Sequence, residues 1–297
     1  MARLMNHLDA RALDLEATHR EISRLIKSGN PFLLGRPGGT ESEGVYSYVN
    51  YRLGSRSSHR RNYTPWYVKN ARLHSAITAR EPEEFDRFSL IYLRAILSSD
   101  LLSYGHFAPG SLGITRELSN SGIPISRFEN LDPLAALHAG HEPWTKALEN
   151  KRVLIISPFH ESIRQQYSKK DTITAVSDIL PMFSLEVVSP PWVFLVDNQG
   201  DTWHKHFATL VNKVKEKDFD VAIIGASSFG LPLGSIIKSS GRQAIHLGGT
   251  TQLLFGIRGN RWEKHAVFSQ YFDETWVRPT RGEKPEGRNL IEGAAYW

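Results

Sequence analysis

Short apolar runs alternate along this chain with longer stretches in which apolar residues recur every three or four positions. Phe32–Leu34, Arg152–Ser157 and Asp220–Gly225 are almost continuously apolar, as a parallel strand covered on both faces requires. Leu101–Tyr104, Ile123–Phe128, Leu185–Ser189 and Gln243–Leu247 read as four further strands. Helical spacing appears over 13–28, from Thr40 through Val49, and over 83–98, 160–167, 172–179, 203–217 and 234–240. In the first of these, Leu13, Leu15, Ile22, Leu25 and Ile26 share a face and Gly29 supplies the stop. Strand following helix in this order predicts an α/β, Rossmann-like fold, a mostly parallel sheet flanked by helices. A single domain over 1–297 is expected, with a helical lead-in over 1–30. Prolines, glycines and charges mark about 278–297 as a surface tail.

With 297 residues, 40% of them hydrophobic, the chain can build one large core-bearing α/β domain. It lacks cysteine, which excludes disulfides and thiolate metal sites. The net charge of +5 is scattered, apart from Arg52, Arg56, Arg60 and Arg61 with His59, which read as a solvated loop. Such a balance suits anionic small molecules and peripheral contact with an anionic membrane surface. No nucleic-acid module accompanies it. The N-terminus lacks the apolar core of a signal peptide, and no apolar run approaches the roughly 18 residues that span a bilayer. The expectation is a cytoplasmic protein.

Candidate chemistry collects at strand ends. The run Phe32–Gly35 breaks into Arg36-Pro-Gly-Gly-Thr-Glu41 just before a helix. Gly38 and Gly39 let a ligand approach the backbone, and the unpaired N–H groups of a helix start, with Thr40 as N-cap, seat an anion. Arg36 adds a fixed cation, and Glu41 a base or a metal ligand. Glu43 falls about 200° round the helix from Glu41 and is not expected on the same ligand. Three other strand ends match this one: Ser157 to Ser162, Gly225 to Gly234 with Ser227, Ser228 and Gly230, and His246 to Thr251 with Gly248 and Gly249. Four such loops on one sheet edge form a cleft for a phosphate-bearing ligand. His160 and Glu161 sit after a strand as an acid–base pair would. Tyr63, Trp66 and Tyr67 suit either acceptor docking or core packing.

The glycines after position 225 lack G-x-G-x-x-G spacing and no P-loop exists, which counts against NAD, flavin and P-loop enzymes. Asp218-Phe-Asp220 precedes a strand and reads as capping rather than a metal site. A divalent ion bridging phosphates needs only one or two protein carboxylates, so manganese or magnesium, with Glu41 as a ligand, is compatible with the chain.

Arg36-Pro-Gly-Gly-Thr-Glu41 resembles the R-x-G-x-x-E signature of glycosyltransferases of the GT-D fold. The segments Ile156–Ile163, Asp218–Gly225 and Gln243–Trp262 look like the same group, in the same order. The resemblance implies transfer of a sugar from a nucleotide-sugar donor to a glycan, lipid-linked or protein acceptor, in surface polysaccharide or glycoconjugate assembly. It implies Arg36, Gly38 and Glu41 as signature site residues. Pro37 and Gly39 stand where some relatives carry an acidic metal-binding position. Glu41 and Glu161 are both candidates for the base. The rival readings are a nucleotide-binding protein without turnover and a Rossmann-type methyltransferase.

Overall fold

The computed structural model describes residues 2–53, 63–79, 81–105, 109–193 and 202–297. The seven apolar runs become seven strands: β1 (Phe32–Gly35), β2 (Leu101–Tyr104), β3 (Ile125–Arg127), β4 (Arg152–Ile156), β5 (Ser184–Val188), β6 (Val221–Ile224) and β7 (Gln243–His246). They form one sheet in the order β3-β2-β1-β7-β6-β4-β5, and every pairing is parallel. Helices α1 (Ala2–Asp9) and α2 (Leu15–Ser28) precede β1. Asp14 caps α2 by accepting the Ala17 N–H at 2.8 Å, and Gly29 ends it with φ +71°. Helices α3 (Gly39–Leu53), α4 (Pro65–Ser75) and α5 (Pro82–Leu97) lead to β2, and α6 (Pro109–Asn120) leads to β3. The rest are α7 (Pro133–His138), α8 (His160–Ser168), α9 (Thr174–Ile179), α10 (Trp203–Lys215) and α11 (Gly230–Ser239). Among the described residues no helix is long and apolar enough to cross a membrane.

Direction of travel decides which face each helix covers. The steps β1→β2→β3 and β5→β6→β7 run the same way across the sheet, and α5, α6, α10 and α11 pack on one face. The steps to β4 and from β4 to β5 run the opposite way, and α7, α8 and α9 pack on the other. Right-handed crossovers require this division. Each central strand feeds both cores by its period of two: Leu154 and Ile156 face α10 and α11, while Val153 and Ile155 face α8 and α9. At the carboxyl edge the chain leaves β1 and β6 toward the first face, and β7 and β4 toward the second. Neighbouring strands that part in opposite directions open a crevice there.

The segment expected as a surface tail is only partly one: 281–282, 286–287, 289–290 and 292–293 are exposed, while other positions enter the second core. Ile291, Ala294 and Trp297 are buried. Its polar groups are consumed internally: the Trp297 Nε1–H donates to the Glu283 carbonyl at 2.7 Å, and Arg278 pairs with Glu263 at 2.6 Å. Asp218 and Asp220 both pair with Arg152 at the amino edge of the sheet, as capping groups would. The basic cluster lies largely on 54–62, outside the described residues.

Candidate functional site

A cleft of about 630 Å³ runs along the carboxyl edge over β1, β7, β6 and β4. All four strand-end loops reach it, through Arg36 to Glu41, Ser157, Gly225 with Ser227, and Gly248 with Gly249.

The β1 loop is shaped by its own glycine. Gly38 precedes α3 and its carbonyl accepts the Ser42 N–H at 3.0 Å. The Glu41 carboxylate folds back over it so closely that a Cβ on Gly38 would lie 2.1 Å from Glu41 Oε2. The Gly38 N–H is taken by the Tyr92 hydroxyl at 3.0 Å. The Gly39 and Thr40 amides, in the first turn of α3, make no backbone hydrogen bond among the described residues and remain available to a ligand. Glu41 is buried, and burial pushes its carboxyl up to about 7. The like charge of Glu292 adds to that shift, while a hydrogen bond from Ser75 and the Arg36 cation oppose it.

Arg36 lies 4.4 Å above the Phe128 ring. Burial lowers the affinity of its guanidinium for the proton, and no carboxylate among the described residues forms an ion pair with it. Gly248, at φ +70°, lets it pass: a Cβ there would sit 2.5 Å from Arg36 Nη1. His246 forms part of the floor and is held neutral, its imidazole pushed down to about 3 by burial and by Arg36. The β6 and β7 loops touch, since a Cβ on Gly225 would meet the Gly248 carbonyl at 2.7 Å. Ser227 lines the cleft with φ +49°, the type of backbone strain that collects where a structure is held for a ligand.

Family models, curated proteins and solved structures give no match to this chain. The site is therefore read from its geometry alone.

Four expected site residues fall outside the cleft wall. Ser228 is buried and accepts the Trp203 Nε1–H at 3.0 Å. Gly230 opens α11 and makes room for the His246 ring. His160 and Glu161 begin α8, whose amino end is already occupied by a side chain. Glu283 Oε1 accepts the Glu161 and Ser162 amides at 2.7 and 3.2 Å. Glu161 itself accepts from the Thr280 hydroxyl at 3.0 Å. An internal carboxylate stands where a phosphate was expected. Tyr63 and Tyr67 are committed to packing: Tyr63 donates to Asp86 at 3.0 Å, and Tyr67 to the Thr40 carbonyl at 3.2 Å. The Trp66 side chain lies outside the described residues.

Other groups reach the cleft without a local sequence signal. Glu43 lines it after all, because the cavity wraps around the first turn of α3. Asn70, His74 and Ser75 come from α4; Pro190, Pro191 and Trp192 follow β5. Arg261, Glu292, Tyr296 and Trp297 close the remaining side. Arg261 pairs with Glu292, donates to the Tyr296 hydroxyl at 3.0 Å and lies 4.8 Å from that ring. Glu292, Gly293 and Ala294 all have positive φ, at 48°, 65° and 60°, and this left-handed turn carries Glu292 and Tyr296 to the cleft. Among the described residues no group of three or more histidines and carboxylates is arranged to hold a metal. Glu41 and Glu292 are two carboxylates lining one cleft, and Glu292 is already paired with Arg261.

Proposed function

We propose that the chain is a glycosyltransferase that moves a sugar from a nucleotide-sugar donor to an acceptor hydroxyl. One observation carries this reading: Arg36, which forms no ion pair among the described residues, and the buried carboxyl of Glu41 line the same cleft at the end of β1. A donor needs its diphosphate held and stabilised as the sugar–phosphate bond breaks. Arg36 and the Gly39 and Thr40 amides supply fixed positive potential for it. In the transfer step the acceptor oxygen bonds to the anomeric carbon. The carbon–oxygen bond to the diphosphate breaks, its electron pair leaving with the nucleoside diphosphate. The hydroxyl proton passes to the Glu41 carboxylate, whose raised pKa makes it a stronger base than a solvated glutamate. The resemblance of Arg36–Glu41 to the GT-D signature supports the same assignment and puts the product in surface polysaccharide or glycoconjugate assembly.

The test is a thermal-shift screen of nucleoside diphosphates and nucleotide sugars, with and without magnesium or manganese. A ligand that prefers the native state raises its melting temperature by mass action. The expected result is a shift with one nucleoside diphosphate that Arg36→Ala abolishes. Glu41→Gln should keep that shift and lose turnover. Binding without turnover in the native chain would instead identify a nucleotide-binding protein. A shift with S-adenosylmethionine alone would refute the transferase.

A further inference from the structure

We infer that the α4 wall of the cleft, Asn70, His74 and Ser75, is the acceptor seat, and that the acceptor offers it a neutral, multiply hydroxylated ring. This rests on the transferase reading and names the substrate class it takes.

Asn70 and His74 stand one turn apart on α4 and so share a face, and that face borders the cleft. The helix stops immediately after Ser75, where Ala76 adopts φ +57° and the Ile77 N–H closes back on the Ala71 carbonyl at 3.0 Å. A non-glycine residue is held in the left-handed region only where its surroundings fix it, so the end of α4 is a fixed feature. Ser75 hydrogen-bonds to Glu41, while Arg36 acts on the same carboxylate electrostatically. Glu41 thus interacts both with the cation that would hold the donor phosphates and with the α4 wall, and all three line one cleft. A base that removes a proton from an acceptor hydroxyl must lie between these two substrates.

The chemistry of the wall suits hydroxyls and not phosphates. His74 Nδ1 is buried with no hydrogen-bond partner among the described residues. A buried lone pair costs less than a buried unpaired N–H, which places the proton on Nε2 as a donor for a ligand oxygen. The Asn70 amide has both donor and acceptor capacity. Ser75 joins them, and two carboxyl groups that line the cleft with this wall, Glu41 and Glu43, are negative when ionised and repel phosphate. Sequence pattern gave no sign of this wall, because its members are ordinary polar residues on a weakly amphipathic helix.

The experiment compares the native chain with Asn70→Ala, His74→Ala and His74→Gln, loaded with the nucleoside diphosphate that the thermal screen identifies. Methyl glycosides of common hexoses are the probes, detected by saturation-transfer NMR and, where transfer occurs, by acceptor KM. The expected result is binding of at least one glycoside and a rise in its Kd or KM of about three- to tenfold in each alanine variant, one hydrogen bond's worth. His74→Gln, which keeps a donor, should recover part of it. The nucleotide melting shift should not move. Unchanged glycoside affinity in all three variants, or no glycoside bound by the loaded native chain, overturns the α4 assignment and leaves the transferase reading standing. Loss of the nucleotide shift in the variants would also overturn it, since the wall would then serve the donor. Absence of any nucleotide shift in the native chain defeats the transferase reading itself, and the acceptor seat with it.

Discussion

Glu41 should make this protein less stable as pH rises, the reverse of the usual carboxylate. Its carboxyl titrates near 7 when folded, against 4.5 for the exposed group. The native state therefore holds its proton more tightly than the unfolded chain does. Between those two values the native state binds more protons, so unfolding free energy falls as pH increases. The displacement corresponds to about 3 kcal/mol, fully expressed above the folded pKa. Burial is the main cause, and the small exposed fraction of the side chain, 7%, means solvent screening removes little of it. Glu41→Gln keeps an oxygen to accept the Ser75 hydrogen bond and removes the titration. Urea unfolding of both proteins from about pH 5 to about pH 8 should show the native chain losing about 2–3 kcal/mol relative to the variant. A stability difference that stays flat across that range would refute the account of Glu41 as a buried carboxyl. Saturating magnesium or manganese offers a second reading of the same experiment. If the cation binds Glu41 and Glu292, it favours the ionised form and flattens the slope.

The same carboxyl should set the pH dependence of the proposed transfer. Transfer at low substrate should rise through about pH 7 as Glu41 loses its proton, and Glu41→Gln should lower it by about 10²- to 10⁴-fold in a rate assay under nucleotide saturation. Gly248→Ala puts a Cβ 2.5 Å from Arg36 Nη1 at φ +70°; it should cost about 1–2 kcal/mol in urea unfolding. It should also shrink the nucleotide melting shift, and an undiminished shift would show that Arg36 does not hold the phosphate. Glu283→Ala removes the acceptor of two α8 amides and should destabilise the fold by about 2–3 kcal/mol, with Glu283→Gln recovering part. A unchanged urea midpoint would mean that water caps α8 as well as Glu283 does.

Much of this arrangement is legible in the sequence because strand burial leaves a local mark. Phe32–Leu34, Arg152–Ser157 and Asp220–Gly225 are apolar at successive positions since helices cover both faces, and the glycines after them mark where backbones crowd. Gly38, Gly225 and Gly248 each stand where a Cβ would collide with the site itself. The illegible part depends on partners distant in the chain. His160 and Glu161 follow a strand just as site residues do, but Glu283 reaches the amino end of α8 from far downstream. Glu292 and Tyr296 enter the cleft through a left-handed turn in which two of the three residues, Glu292 and Ala294, are not glycine, which no propensity anticipates. Asn70 and His74 matter because of the cavity they border and not because of any pattern in α4.

The middle of the sheet has a consequence for how the molecule forms. Phe32 pairs with Gln243 and Leu34 with Ile245, so β1 and β7 join across most of the chain, whereas β1–β2–β3 and β4–β5 associate among near neighbours. Contacts of such sequence separation close late, because a long loop must be ordered before they return any energy. Until β7 arrives, β1 presents an unpaired edge, the kind of surface that invites intermolecular pairing. Arg36 and Gly248, which meet across that seam, cannot come together before it closes. Nucleotide binding would thus report the last event of folding, and a folding intermediate with an intact β4–β5 half would be inert.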